Sequence, residues 1–133
     1  MVKQEEIVSD VIKMKNLYFQ SIDFEATGEQ ADNEGCADVR FKEEHDIKEN
    51  IIDIKLYSEV EIDGVFVLKI CLRGAFEVDN MDSNRILPNA IAIMFPYLRS
   101  QVSIMTAQPN IPTISLKPVN INALLEKQKE QEE

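Results

Sequence analysis

The sequence has few of the side chains on which enzymes depend. Its only histidine is His45, which lies in an acidic, polar stretch. Because there is no second histidine and no closely spaced cysteine pair, a zinc site of ordinary ligand spacing is absent. The GxSxG, GxxxxGK(S/T) and GxGxxG motifs, which position a nucleophile, a triphosphate or a dinucleotide, do not occur either. We therefore expect a protein that is not an enzyme and that uses neither a metal nor another cofactor.

Cysteine is scarce, and Cys36 and Cys71 are the only two residues of this type. They are far apart in the sequence and form no CxxC motif. This usage is typical of reduced thiols in a cytosolic protein, and a single disulfide between the two is the alternative. The cysteines therefore favour a cytoplasmic location.

Long apolar segments are missing as well. No stretch of about 18 uninterrupted apolar residues occurs, so the sequence predicts no membrane insertion. Residues 1–10 are polar and acidic, without the apolar run behind a basic start that marks a secretory signal. We expect this segment to form a flexible N-terminal leader.

Basic residues are outnumbered by acidic ones, 14 to 24, and the formal net charge is −10. Nucleic acid and anionic membranes would be repelled by this excess, whereas a basic polypeptide would be attracted. We therefore expect no nucleic-acid partner. The alternative is that the charge only keeps the protein soluble.

The length and composition suit one folded domain. At 133 residues the chain is large enough for a real core but too small for two, and 44% of its residues are apolar. We place this single domain at residues 11–126, between the leader and a charged C-terminal tail at 127–133.

The first half of the chain predicts an antiparallel sheet. Residues 11–25 form a long predicted strand in which apolar residues recur at period two. This alternation predicts one face with Ile12, Met14, Tyr18, Ile22 and Phe24, and an opposite face with Leu17 and Phe19. A shorter strand at 38–42 alternates through Val39 and Phe41, and the charged stretch 43–50 that follows predicts a turn or an edge.

The hairpin at residues 50–78 is the clearest pattern. Each arm alternates apolar and charged residues, which predicts a sheet with one dry face and one wet face. The apolar sets are Ile52, Ile54, Leu56, Val60 and Ile62 on the first arm, and Phe66, Leu68, Ile70, Leu72 and Phe76 on the second. Asp63 and Gly64 mark the turn. Because a two-residue loop would put the apolar sets on opposite faces, we predict a three-residue loop or a bulge that pairs Ile62 with Phe66.

The periodicity changes in the second half, where a helix is predicted from about Arg85 to Ala107. Its apolar residues crowd most of the circumference, and a helix of that kind is buried. Because it can cover only one face of the sheet, we expect its remaining surface to pack against another copy of the protein. The candidate interface residues are Ile91, Met94, Phe95, Tyr97, Leu98 and Val102. Pro96 should kink this helix, and the alternative role of the kink is to fit a curved sheet.

A short helix is predicted at the C-terminal end of the domain. A proline-punctuated, extended segment at 109–120 leads to it, and Asn120 or Asn122 is the candidate N-cap. The helix has few apolar residues and runs into the charged tail.

Four apolar residues are candidates for binding a partner. Val39 and Phe41 lie on the second predicted strand, and Leu124 and Leu125 lie on the last helix. With the apolar residues of the first strand, they predict a groove edged by acidic residues, because exposed apolar patches mark interaction sites. The alternative is that these residues belong to an ordinary core.

Four stretches of the sequence resemble the SecB family of bacterial protein-export chaperones. "MFPYLRSQV" at 94–102 is similar to the family's FPY-x-R helix signature, and "IPTISLKPVNINALL" at 111–125 resembles the segment between its two helices. "SIDFEA" at 21–26 is similar to a first-strand pattern of the family, and "GAF" at 74–76 lies where the family ends its fourth strand. The order of elements agrees, so the resemblance covers about residues 11–126.

The resemblance implies an α+β fold, in which a four-stranded antiparallel sheet is followed by a long kinked helix and a short C-terminal helix. It also implies a tetramer, assembled as a dimer of dimers with the long helices packed between subunits. Members of the family hold unfolded preproteins in long apolar grooves without nucleotide, and pass them to the translocase motor SecA.

The resemblance also implies roles for particular residues. By position, the client-binding residues are Val39, Phe41, Leu124 and Leu125. Glu25 matches an acidic residue of the sheet surface that faces SecA. Two other acidic positions of that surface fall at Ser21 and Lys69, so the acidic patch is depleted and one charge is reversed. Such a change would weaken an electrostatic dock for SecA.

The resulting prediction is an ATP-independent holdase, which buries apolar segments of unfolded preproteins and keeps them competent for export. One alternative is a SecB-like chaperone dedicated to the antitoxin of a toxin–antitoxin module. The other is a small-ligand-binding or structural module on the same fold, whose groove residues would be covered by the protein's own side chains.

Overall fold

The structure of the protein, a computed structural model, describes residues 1–3, 12–31, 36–78 and 83–132. Of the predicted leader, residues 4–10 lie outside the described residues. The elements in chain order are β1 (Ile12–Ala26), β2 (Asp38–Lys48), β3 (Ile51–Ile62), β4 (Phe66–Val78), α1 (Ser83–Thr106) and α2 (Ile121–Glu132). The predicted α+β fold class, with four antiparallel strands before two helices, is confirmed.

The strands form one antiparallel sheet in the order β1-β4-β3-β2, so β1 and β2 are its edges. The stretch predicted as a turn or an edge belongs to β2, which pairs with β3 as far as Lys48 opposite Ile51. The turn is formed by Glu49 and Asn50, and Glu49 has a φ of 56°. β2 is longer than the apolar alternation alone predicts, because a solvated edge readily accommodates charged side chains.

The hairpin of β3 and β4 has the predicted three-residue loop. Ile62 pairs with Phe66, and the loop comprises Asp63, Gly64 and Val65. Gly64 has a φ of 77°, which glycine adopts without steric cost. The Val65 N–H donates to the Ile62 carbonyl at 2.9 Å. The two apolar sets of the hairpin consequently share one face.

The core lies between the inner face of the sheet and α1. The apolar hairpin residues predicted for the dry face are all buried. On the outer face of β3 and β4, the side chains are half-buried or exposed, apart from that of Cys71. The predicted sheet with one dry and one wet face is therefore confirmed, because every second hairpin residue faces α1.

β1 departs from the predicted alternation. Its pairing with β4 has two irregularities, one after Met14 and one after Phe19, and each inserts an extra residue on β1. Each insertion inverts which face the following residues occupy. Leu17 and Phe19 therefore lie on the inner face, and Tyr18 lies on the outer face opposite Arg73. The predicted face assignment of these three β1 residues is wrong.

A glycine at the middle of β4 allows β1 and α1 to approach the sheet together. Leu17 lies directly opposite Gly74. A Cβ atom on Gly74 would come within 3.2 Å of Leu17 Cδ1 and 3.3 Å of Met94 Sδ. The missing side chain thus makes room for the inward-facing leucine that the bulge of β1 creates.

α1 is continuous across both of its prolines, Pro88 and Pro96. Pro96 is exposed, and so is Ala92, whose carbonyl loses its helical partner because proline has no N–H. Water can donate to that carbonyl from the solvent side, which limits the cost of the missing bond. The long predicted helix is confirmed, with bounds at Ser83–Thr106.

α2 begins after the N-cap Asn120, whose Oδ1 accepts a hydrogen bond from the Ala123 N–H at 3.0 Å. The helix continues to Glu132, so the charged stretch predicted as a tail is helical as far as residue 132. None of the α2 residues is buried. α2 is therefore a surface helix, and its half-buried Ile121 and Leu125 pack against the core.

The extended segment between the helices is fixed along α1. Arg99 Nε donates to the Leu116 carbonyl at 3.0 Å, and Ser103 Oγ donates to the Ile114 carbonyl at 2.9 Å. The Ile114 N–H donates to Thr106 Oγ1 at 2.8 Å, and Leu116 is buried. This anchored segment brings α2 alongside β2.

Candidate functional site

α2 contacts the backbone of β2 through Gln128. The Glu43 N–H donates to Gln128 Oε1 at 2.7 Å, and Gln128 Nε2 donates to the Glu43 carbonyl at 2.8 Å. A side-chain amide that accepts and donates in this way satisfies both backbone groups of a residue on an edge strand. Gln128 therefore occupies the place at which a further strand would form hydrogen bonds.

A groove of about 470 Å³ lies beside this contact, between β2, α2 and the first turns of α1. We call it the β2–α2 groove. Leu87, Pro88 and Leu125 supply its apolar surface, and its basic residues are His45 and Lys129. Its carboxylates are those of Glu43, Glu44, Glu126 and Glu132. The groove thus combines a small apolar surface with an acidic rim.

Glu43 is a buried acid on the inner face of β2, opposite Leu56 of β3. Its side chain is 2% exposed, and its Oε2 atom lies 2.7 Å from His45 Nδ1. Burial raises the pKa of Glu43, and the contact with His45 opposes this shift. Burial therefore disfavours the charged form of the very residue whose backbone Gln128 contacts.

The four predicted client-binding residues do not share one surface. Val39 and Phe41 are half-buried on the inner face of β2, and the Phe41 ring packs against Phe95 with centroids 5.3 Å apart. Leu125 lines the β2–α2 groove, whereas Leu124 is half-buried on α2 outside that lining. Leu125 therefore lines the β2–α2 groove. Val39 and Phe41 lie on β2, outside the part of that strand that lines the groove.

The residues predicted to face SecA lie on the outer face of the sheet. Glu25 is exposed near the end of β1. Lys69 lies directly across from Asp23 of β1 and from Glu59 of β3, so the reversed charge is flanked by two acidic residues. Ser21 and Lys69 both line a pocket of about 570 Å³ on this side, which we call the outer-face pocket.

Charges around the outer-face pocket are paired with one another. Arg40 Nη2 lies 2.8 Å from Glu59 Oε1, and Lys42 Nζ lies 3.0 Å from Glu44 Oε1. The hydrogen bond from Lys42 holds the pKa of Glu44 below its usual range. Because the pairs neutralise each other, this pocket is not rimmed by charge of a single sign.

Both cysteines are free thiols in the structure. Cys36 is exposed, whereas Cys71 is buried on the outer face of β4. Burial raises the pKa of the Cys71 thiol, against an opposing hydrogen bond with Tyr57. A buried thiol with a raised pKa is a poor nucleophile.

The interface residues predicted on α1 fall into two groups. Those buried in the subunit's own core, against the sheet, are Ile91, Met94, Phe95, Leu98 and Val102. Tyr97 is 51% exposed, and two unpredicted apolar neighbours are exposed as well, Ile93 at 40% and Ile104 at 63%. The exposed large apolar residues of α1 are therefore these three. Their spacing, i, i+4 and i+11, places them on one side of the helix, but it does not show which side the sheet covers.

Two further findings concern the described ranges as a whole. Within residues 1–3, 12–31, 36–78 and 83–132, no group of three or more His, Cys, Asp or Glu side chains could hold a metal ion. No helix in these ranges is long and apolar enough to cross a membrane. What the site offers is apolar contact and backbone hydrogen bonding at the β2 edge.

Comparison with known proteins assigns the chain to a family. The family model described as preprotein translocase subunit SecB matches residues 5–132. This chain belongs to the SecB family. The match spans the sheet, both helices and the segment between them, which together contain every stretch whose residues resemble the family.

Individual relatives are similar at modest identity. The protein-export protein SecB of Methylobacillus flagellatus is 28% identical over 96 residues, which cover 67% of this chain and 59% of that protein. The protein-export protein SecB of Acinetobacter baylyi is 24% identical over 138 residues, which cover 94% of this chain and 91% of that protein. The chain thus spans about three fifths of the length of the Methylobacillus relative.

The fold is also found in a solved chaperone. A SecB-like chaperone of Mycobacterium tuberculosis, in complex with a ChAD peptide from the HigA1 antitoxin, matches this chain with a TM-score of 0.67. The match covers 83% of this chain and 88% of that one, at 10% sequence identity. At this identity the likeness concerns the fold.

Two residues of the β2–α2 contact are missing from the sequence predictions. The position of Glu43 could have been predicted, because Glu43 continues the alternation of Val39 and Phe41 and so belongs on the inner face of β2. The contact made by Gln128 could not have been predicted, because Gln128 lies in a charged stretch without apolar periodicity.

Proposed function

We propose that this chain is an ATP-independent holdase that binds unfolded polypeptides, including preproteins, along the inner side of β2. The observation that carries the proposal is the weak packing of α2 beside half-buried apolar residues. Val39, Phe41 and Leu125 are partly exposed next to the core, and α2 has no buried residue. Such a cover can be displaced at low cost, because little apolar area returns to water. Membership of the SecB family supports the same role.

The mechanism is burial of apolar segments that an unfolded client exposes. The half-buried Phe41 ring and the Leu125 side chain offer apolar surface to such segments. Binding of the unfolded state lowers the concentration of free aggregation-prone chains. The net charge of −10 favours client segments that contain basic residues and disfavours acidic ones.

The proposal includes a homo-oligomer, a tetramer formed as a dimer of dimers. It is supported by the exposed apolar residues Ile93, Tyr97 and Ile104 on α1, because apolar side chains grouped in water mark contact surfaces. Size-exclusion chromatography with light scattering measures the mass directly. A monomeric mass at micromolar concentration would contradict this part of the proposal.

The test of the holdase is the light scattering of an unfolded protein that aggregates on dilution, with and without this chain and without ATP. We expect suppression at a molar ratio near one client per oligomer. The same measurement on several unrelated clients defines the client range. A stable oligomer that suppresses aggregation of none of them would contradict the proposal.

A second candidate function is a chaperone dedicated to the antitoxin of a toxin–antitoxin module. The observation that favours it is the outer face, where Ser21 and Lys69 stand at positions implied to be acidic. A weaker acidic patch supports less binding of SecA, and titration of SecA at low and high salt measures that binding. A dedicated chaperone would hold its antitoxin and leave unrelated unfolded proteins to aggregate.

A further inference from the structure

The outer edge of β2 carries an unbroken row of backbone groups that point away from β3. In an antiparallel pair, every second residue presents both its N–H and its carbonyl outward. Glu43 is such a residue, because both of its groups reach Gln128. The pairing of β2 with β3 has no register shift from Asp38 to Lys48, so the alternation holds throughout. The other residues of the row are Val39, Phe41, His45 and Ile47.

The residues of this row also face the inner side of the sheet. Val39 lies opposite Val60, and Phe41 lies opposite the buried Ser58. A strand added at this edge would therefore gain main-chain hydrogen bonds and, at the same positions, apolar neighbours. Between the described residues, no hydrogen bond other than those of Gln128 reaches the outward backbone groups of the row.

Gln128 makes the contacts that a peptide group of an added strand would make. Its amide accepts at 2.7 Å and donates at 2.8 Å, to the two backbone groups of a single β2 residue. Both distances are those of well-formed hydrogen bonds. Because α2 has no buried residue, the helix that carries Gln128 can leave the edge without moving a buried side chain of its own into water.

We propose that the β2 edge receives an extended client segment as an additional strand, and that Gln128 is a latch that occupies this edge until a client displaces it. The inference rests on the holdase function proposed above and specifies how the client is held. The fitting occupant is a proline-free peptide with apolar side chains at alternate positions. Acidic residues would be disfavoured near the rim formed by Glu44, Glu126 and Glu132.

Strand addition suits a chaperone with many clients, because main-chain hydrogen bonds do not depend on the client's sequence. The client's peptide groups replace the two bonds of Gln128 and add bonds at the open positions of the row. A permanently open edge would instead invite pairing between copies of the protein. The latch gives the edge a partner while no client is bound.

The probe is a fluorophore-labelled peptide of alternating valine and threonine with terminal lysines. A length of about twelve residues spans β2 at about 3.3 Å per residue. Two versions carry backbone N-methyl groups, one on all valines and the other on all threonines. In an added strand, the backbone N–H groups of only one residue type, valine or threonine, point toward β2. The version methylated on that type should bind the oligomer about tenfold more weakly or worse, and the other version should bind nearly normally. Equal binding of the two versions would overturn the inference.

The latch is tested with Gln128→Ala, which should tighten binding of the unmethylated peptide several-fold. Gln131→Ala is the matched control, because Gln131 is an exposed residue of the same type on the same helix. Unchanged or weaker binding by the Gln128 variant would overturn the latch. Circular dichroism checks the helix content of both variants, and the N-methyl comparison uses the natural chain, so it is independent of how the variants fold.

Aggregation suppression by the natural chain separates this inference from the holdase proposal. If the natural chain suppresses aggregation and the peptide does not bind, or its two methylated versions bind alike, strand addition is overturned and the holdase stands. If the natural chain suppresses no aggregation while one methylated version alone loses binding, the edge binds peptides and the holdase proposal fails.

Discussion

The two helices of this chain are attached to the sheet in different ways. α1 has a stripe of residues with no exposed surface, namely Ala90, Ile91, Met94, Leu98 and Val102. α2 has no buried residue, and it meets the β2 backbone through the two hydrogen bonds of Gln128. Most helical stability in proteins comes from packing of an apolar face, so α1 belongs to the fold and α2 is a cover.

If the proposed function holds, the difference separates stability from client binding. A chaperone that opens a groove must do so without losing its core, and of the elements that line the groove, α2 has no buried residue. The low-stability parts of a protein are those that move in binding. Three predictions test this contrast between α1 and α2.

The largest effect is expected from Leu98→Ala in α1. Leu98 is fully buried, so truncation leaves a cavity in the core and should lower the free energy of unfolding by about 2–5 kcal/mol. Leu125→Ala, the matched change in half-buried surroundings on α2, should cost about 1 kcal/mol or less. Urea unfolding followed by circular dichroism measures both variants. Equal losses would show that the two helices are anchored alike.

A smaller but functional effect is expected from Leu125→Asp. The change puts a charge on the apolar surface of the β2–α2 groove, and should weaken client binding about tenfold, which is about 1.4 kcal/mol. The urea midpoint should fall much less than in Leu98→Ala, since Leu125 is half-buried and not in the core. Gln131→Asp adds the same charge at an exposed position of the same helix and serves as the control. Equal loss of client binding in both variants would show that the added charge on α2 weakens binding wherever it lies, and that the groove is not the cause.

The smallest effect is expected in the pH dependence of stability, and it concerns Glu43, the buried acid whose backbone Gln128 contacts. Because burial raises the pKa of Glu43, the folded chain holds a proton at this site more tightly than the unfolded chain does. The stability that protonated Glu43 contributes is therefore lost as pH rises from the ordinary pKa of 4.5 through the raised pKa of the folded chain. Glu43→Gln cannot ionise, so its stability relative to the natural chain should increase over that range.

Urea midpoints at closely spaced pH values from about 4.5 to neutrality measure this difference. Glu130→Gln removes a carboxylate from an exposed position of α2 and should show no such trend. A difference between Glu43→Gln and the natural chain that stays constant with pH would contradict the role of burial. A difference that increasingly favours the natural chain as pH rises would contradict it as well.

The sheet could largely be predicted from the sequence, because its strands bury one face. In the hairpin, the period of two and the need to bury both apolar sets predict the pairing of Ile62 with Phe66. β1 could not be predicted in the same way. Its two bulges move Leu17 and Phe19 to the inner face, and a bulge depends on the neighbouring strand, including the space left by Gly74.

The site could be predicted only in part. Resemblance and alternation identified the apolar residues Phe41 and Leu125, but the sequence of α1 does not distinguish its core stripe from its exposed stripe of Ile93, Tyr97 and Ile104. That distinction depends on which side of the helix the sheet occupies. The contact of Gln128 with β2 depends on how the chain crosses from α1 to α2, a long-range arrangement without a local sequence pattern.

In the proposed function, α2 leaves the β2 edge to admit a client while α1 stays in place. Hydrogen–deuterium exchange with mass spectrometry, on the free oligomer and on its complex with an unfolded client, tests it most directly. We expect fast exchange in α2 and slow exchange in α1 without client, and slower exchange in β2 when the client binds. Equal protection of the two helices in the free protein, with client protection confined to the outer face around Glu25, would contradict it.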